Sequence, residues 1–176
     1  MRSKSIFGII LFLFTSCVFN QKSRDKEKIA LAEKECSQKT KVDQITIRFY
    51  GYFQSEADSI NVKIKRGDKI VENFSEKIPE KITDSLRHLR EYTLNKEILL
   101  TDTLFLKIKN TTVKKVYNFK YLVRPHFTML SHGWGCDFYE LTVDGKVING
   151  GNIEFMKQGW DIIDRSSFNN YYNSGK

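Results

Sequence analysis

From Gln44 onward, apolar and polar side chains alternate with a period of two, and this pattern constrains the chain more than any other feature. In "QITIRFYGYF", Ile45, Ile47, Phe49 and Phe53 fall on one side of an extended chain, with Thr46, Arg48, Tyr50 and Tyr52 on the other. "SINVKIK" sets Ile60, Val62 and Ile64 against Asn61, Lys63 and Lys65 in the same way. Successive side chains of a strand point to opposite faces of a sheet, so clean alternation predicts antiparallel strands with one buried and one wet face. "RGDK" supplies the turn into "IVENF" and makes residues 59–74 a hairpin. The Arg66-Gly67-Asp68 triplet is read as turn chemistry and not as an adhesion motif. "TDTLFLKIKN", "KKVYNFKYLV", "DFYELTVDGKVIN" and "NIEFM" give further strands, with Asp144-Gly145 at a tight turn. The stretch 75–101 departs from the pattern: Thr83 stands as an N-cap, with Leu86 and Leu89 at helical spacing, which predicts either a short helix near 83–92 or an ordered loop between strands. The fold class expected is all-β and mainly antiparallel, a β-sandwich of about seven or eight strands.

Upstream lies a polar segment, "VFNQKSRDKEKIALAEKECSQKTKV", in which Ile29, Ala32 and Cys36 form a narrow stripe at helical spacing. It predicts a short helix that is marginal on its own. Ahead of it, Arg2 and Lys4 precede the apolar run Ile6 to Phe14. Nine residues are too few for an ordinary transmembrane helix, which needs about 20, and have the proportions of a secretory signal. The run ends in "FTSC", residues 14–17, which resembles a bacterial lipobox, with Phe14 where that motif usually has Leu. The resemblance implies a bacterial lipoprotein: cleavage before Cys17, diacylation of its sulfur and acylation of the new amine. Two or three acyl chains anchor stably where one binds only reversibly. The organisation expected is a signal over 1–16, a tether over 17–42, a sandwich over 43–160 and a tail over 161–176. Low proline with abundant Lys, Asn, Ile and Phe resembles proteins of AT-rich bacteria, Bacteroidota among them. In that group an acidic run after the lipidated cysteine accompanies surface export. "VFNQKS" carries no acid, so the expected location is the cell envelope, anchored to the inner or outer membrane and facing the periplasm.

The formal net charge of +8 invites a nucleic-acid reading, but its distribution argues against one. Two basic residues leave with the signal. Residues 18–41 hold seven basic against four acidic groups, and 42–176 hold twenty against seventeen. Half of the remaining excess lies beside the membrane, where each basic residue is worth about 1 kcal/mol against anionic headgroups. The basic footprint of a nucleic-acid binder is not visible in the domain. With Cys17 acylated, Cys36 and Cys136 remain. In an oxidising compartment an even remainder points to a bridge, worth about 4–5 kcal/mol in the loop-entropy picture; two separate thiols are the alternative, since Cys36 lies in the tether.

Signatures for phosphate loops, nucleophile elbows, HExxH zinc sites, CxxC motifs and dinucleotide folds are absent from the sequence, and no cofactor is expected. The one dense group of reactive side chains is "RPHFTMLSHGWGCDFYE", residues 124–140. Its His126, His132 and Cys136 are chemically apt for zinc. Their spacing matches no metal motif, and the stretch is read as a structural connection between strands, with Trp134 covering the core edge. A second candidate is aromatic: Arg48, Tyr50, Tyr52, Tyr117, Phe119 and Tyr121 alternate with residues assigned to the core, so they form either a binding face or a second buried face. The leading functional expectation is an envelope lipoprotein presenting a non-enzymatic sandwich to a protein or glycan partner, with no nucleic acid. Behind it stand an immunity-type lipoprotein that neutralises a toxin (or, more weakly, a host lysozyme inhibitor), and then a metal- or thiol-dependent hydrolase using the 126–137 cluster.

Overall fold

The computed structural model describes residues 25–84, 88–109, 111–127 and 132–157, with the side chain of His132 left out. The expected signal, Cys17 and the C-terminal tail lie outside these residues. The chain divides into two compact units. One comprises the chain up to Lys39 together with Tyr121–Asp137; the other comprises Thr40–Lys120 and the chain from Phe138 on.

The first unit contains a helix, α1, over residues 25–38. Ala32 is buried and Ile29 and Cys36 half-buried, the narrow apolar stripe that the spacing predicted. Glu35 and Lys39 form an i,i+4 ion pair at 3.3 Å, and the Lys39 ammonium lies 5.7 Å from the Tyr121 ring centre. Cys36 is joined to Cys136 by a disulfide, with Cα atoms 5.3 Å apart.

The second unit is a β-sandwich. Its strands are β1 (Lys41–Val42), β2 (Ile45–Tyr50), β3 (Ser59–Arg66), β4 (Lys69–Lys77), β5 (Leu89–Leu94), β6 (Ile98–Leu99), β7 (Thr103–Ile108), β8 (Lys114–Phe127), β9 (His132–Val143), β10 (Lys146–Asn149) and β11 (Asn152–Met156). Strands β8 and β9 continue into the first unit. A six-stranded sheet runs β10-β9-β8-β7-β3-β4, a three-stranded sheet runs β11-β2-β5, and β1 pairs with β6. Pairing is antiparallel except between β11 and β2, which are parallel. The six-stranded sheet packs on the three-stranded one: Tyr92 of β5 donates its hydroxyl to Glu76 of β4, and Lys114 of β8 sits over the Phe155 ring of β11.

The core comprises the inner rows that the alternation marked out. Ile45, Ile47 and Phe49 of β2 meet Ile60, Val62 and Ile64 of β3, Leu104, Leu106 and Ile108 of β7, and Ile153 and Phe155 of β11, all nearly inaccessible. Each such side chain contributes about 1.5–3 kcal/mol by leaving water. Phe49 and Phe155 stack with centroids 5.5 Å apart.

Three expectations need correction. The eleven strands among the described residues exceed the expected seven or eight because the two-residue β1 and β6 carry too few side chains to show a period, and β5 lies in the stretch read as a helix or ordered loop. No helix forms at 89–94, which is β5; Asp84 and Leu89 bridge to each other, and Leu89 donates back to the Asp84 carbonyl at 2.9 Å. Residues 85–87 lie outside the described part. Nor is 124–140 a loop: β8 extends to Phe127 and β9 begins at His132, so only 128–131 separate them. Trp134 is half-buried within β9.

Candidate ligand-binding face

The outward rows of the six-stranded sheet follow from register. Val62, Leu106 and Leu104 face in, so Asn61, Lys63 and Lys65 of β3 and Phe105 and Lys107 of β7 face out. Lys63 pairs with Phe105, and Phe105 pairs with Lys115 of β8. On the other side Lys63 pairs with Asn73 of β4. One row therefore reads Asn73, Lys63, Phe105, Lys115, and the next reads Ser75, Asn61, Lys107. The Lys115 ammonium lies 5.0 Å from the Tyr117 ring centre on the same side. Among the described residues, Lys63, Lys107, Lys109 and Lys115 form no ion pair. Lys65 reaches Asp68 of the hairpin turn at 3.4 Å. A domain whose charge is nearly balanced, twenty basic against seventeen acidic groups over 42–176, thus shows one face of cations and aromatic rings. The balanced total hid a basic footprint that the sequence did not reveal.

At one end of this face a shallow depression is lined by Asp58, Ser59, Asn61, Ser75, Lys107, Ile108 and Lys109. Ser59 donates to Asp58 at 2.8 Å, and Asn61 donates to the Ser75 hydroxyl at 3.2 Å. The Ser59 hydrogen bond, aided by Lys109, holds the Asp58 carboxyl below its ordinary range, so it is ionised. The loop that delivers Asp58 is fixed from below. Arg90 of β5 is 1% exposed. It donates to the carbonyls of Ala57 at 2.8 Å, Phe53 at 3.2 Å and Tyr52 at 3.3 Å, and also to Gln54. His88 contacts the Tyr52 carbonyl at 2.8 Å, and Glu56 accepts from Lys157 at 2.6 Å and from the Phe53 amide at 2.9 Å. Burial lowers the pKa of His88 against the pull of the Tyr52 carbonyl.

The six aromatic and basic residues singled out from the sequence do not share a face. Arg48, Tyr50 and Tyr52 belong to β2 and the loop after it, whereas Tyr117, Phe119 and Tyr121 belong to β8. Tyr50 is 8% exposed and Phe119 is 2% exposed, so neither presents a surface. Phe119 lies 6.2 Å from Phe138, centre to centre. The reason is Asn118, which sits at a φ of 56° within β8. This left-handed residue breaks the alternation, so Val116 and Phe119, three apart, are both buried. Arg48 is held by Glu91 at 2.8 Å, with Glu154 directly opposite on β11. Of the six, only Tyr117 belongs to the lysine face.

The 126–137 cluster also sorts differently from its sequence order. His126 Nε2 meets Asp137 at 2.7 Å. Gly135 lies beneath the imidazole, where a Cβ would come 2.6 Å from its Cε1, so any larger residue would displace the ring. Cys136 is in the disulfide and offers no thiolate to a metal or a substrate while oxidised. Among the described residues no three His, Cys, Asp or Glu side chains converge as a metal site.

No family model, curated protein or solved structure matches this chain.

Proposed function

We propose that the chain is a lipid-anchored protein of the bacterial envelope whose non-enzymatic sandwich binds an anionic partner, a glycan or an acidic protein, through the outer face of the six-stranded sheet. The observation that carries this reading is the row of unneutralised lysines interleaved with Phe105 and Tyr117. Cations spread over a flat sheet attract negative charge from a distance, and rings between them offer contact area at low entropic cost. The lipobox-like "FTSC" supports the anchor, and a disulfide between cysteines 100 residues apart suits an exported chain. Cys136 of the cluster at 126–137 is bridged and supplies no thiolate while oxidised; Ser131 and the side chain of His132 lie outside the described part.

Two measurements test this. Replacing Cys17 with Ser should abolish incorporation of a fatty-acid probe and leave the precursor unprocessed; unchanged labelling removes the anchor. Retention of the protein on a carboxylated matrix should weaken steeply as salt screens the face, and Lys63→Glu should release it at lower salt. Retention unaffected by either change removes the face.

A further inference from the structure

Resting on that reading, we infer that the depression at Asp58, Ser59, Asn61, Ser75, Lys107 and Lys109 is a subsite for one carboxylate-bearing sugar ring of an acidic polysaccharide, whose chain continues along the lysine rows. The lining is mixed in a way that a purely electrostatic surface is not. Lys107 and Lys109 supply point charges for a carboxylate. The ionised Asp58 has acceptor capacity beyond its bond from Ser59, and Asn61 keeps its carbonyl oxygen and a second N–H beyond its bond to Ser75. Sugar hydroxyls both donate and accept, so they satisfy this set. An inorganic phosphate offers no ring hydroxyls to Asp58 and Asn61, whereas a sugar ring can turn its carboxylate to the lysines and its hydroxyls to Asp58 and Asn61.

The neighbouring row supports the same ligand. Phe105 is half-buried between Lys63 and Lys115 in the plane of the sheet. It offers a flat apolar patch to the C–H face of a pyranose, and its flanking lysines meet the carboxylate of the next ring. Rows on one face of a strand recur every ~6.7 Å, so consecutive anionic rings meet consecutive cations. A membrane surface calls for protruding apolar groups. Of the exposed large apolar side chains, Val147 and Met156 are on β10 and β11, and Ile70 of β4 stands opposite Lys65 at the turn end of the hairpin, outside the two rows of the subsite and Phe105.

The test uses the detergent-solubilised full chain and titration calorimetry with tetragalacturonate, its methyl ester, phosphatidylglycerol vesicles and a dT20 oligonucleotide. Tetragalacturonate should bind, and the methyl ester, which keeps the hydroxyls and loses the charge, should bind about tenfold more weakly. Asn61→Ala should cost about tenfold with the salt dependence unchanged, whereas Lys63→Ala should flatten the salt dependence. Ser75→Ala is the second variant, should Asn61→Ala fail to fold. If the subsite variants bind as well as the native chain while Lys63→Ala weakens binding, the subsite is overturned and the lysine face stands as an anion-binding surface. If neither variant changes binding, both fall. Binding to vesicles or dT20 without tetragalacturonate overturns the assignment to a glycan.

Discussion

The two sheets of the sandwich expose opposite solutions to the same problem. On the outer face of the three-stranded sheet, Arg48 lies between Glu91 of β5 and Glu154 of β11 in one row, so the cation is neutralised and one negative charge is left over. On the outer face of the six-stranded sheet, Lys63 and Lys115 share a row with Phe105 between them, and nothing cancels them. Opposite charges facing each other across strands stabilise a sheet, and like charges destabilise it. Phe105 keeps the two lysines two strands apart, about 9.5 Å, which is close to the screening length of ~10 Å at 0.1 M salt. The cost in stability is therefore small, and the charge remains available to a partner. The first face pairs its cation within the sheet, and the second, among the described residues, leaves Lys63 and Lys115 without ion pairs.

The sharpest way to break this comparison is to reverse charge on the second face. Lys63→Glu with Lys115→Glu should reduce affinity for an acidic polysaccharide about a hundredfold while the urea midpoint barely moves, as for surface substitutions generally. A large loss of stability would show that these lysines hold the fold. The converse is Arg48→Glu, which puts three carboxylates in one row. It should cost about 1 kcal/mol in stability and leave polysaccharide affinity intact; reduced affinity would move the binding site to the other sheet.

A smaller effect separates the faces by pH. His88, at the start of β5, has a pKa held below its ordinary 6.5 by burial. As pH falls below about 6.5, the unfolded chain takes up a proton that the folded chain does not, so stability falls until the folded pKa is reached. Urea midpoints measured between pH 7.5 and 5 should show this decline. Because His88 has a φ of 43°, Asn, which tolerates that region, is the fitting replacement. His88→Asn should flatten the profile, while Lys63→Ala should leave its shape unchanged. A profile that keeps its slope in His88→Asn assigns the titration elsewhere.

Much of the sandwich was legible because burial on one face writes itself into every second residue. Ile60, Val62, Ile64, Leu104, Leu106 and Ile108 follow from the pattern alone, as does the Asp144-Gly145 turn, where φ is 49° and 85°. Legibility ended where a single residue left the regular path. Asn118 shifts the phase of β8 and turns Phe119 from an apparent surface residue into core. At 83–92, Leu89 opens β5 instead of a helical turn, and Leu86 lies outside the described residues. The binding face was illegible for another reason. Its residues sit in clean alternation, but only the pairing of β3 with β7, past three intervening strands, places Lys63 beside Phe105. Local periodicity says which side of a strand a residue takes, and not which strand lies alongside.

The parallel pairing of β11 with β2 has a consequence for the order of events during synthesis. Ile153 and Phe155 complete a layer begun by Ile47 and Phe49, across about a hundred residues of chain. Such non-local pairings are closed late and slowly, because the loop entropy is spent before the contacts form. The three-stranded sheet cannot assemble until its last strand has been made. The Cys36–Cys136 link, too, waits for nearly all of the strands. The growing chain therefore lacks its three-stranded sheet over most of its synthesis. Removing 152–156 should then yield a chain that is degraded quickly, with β2 left as an unprotected edge.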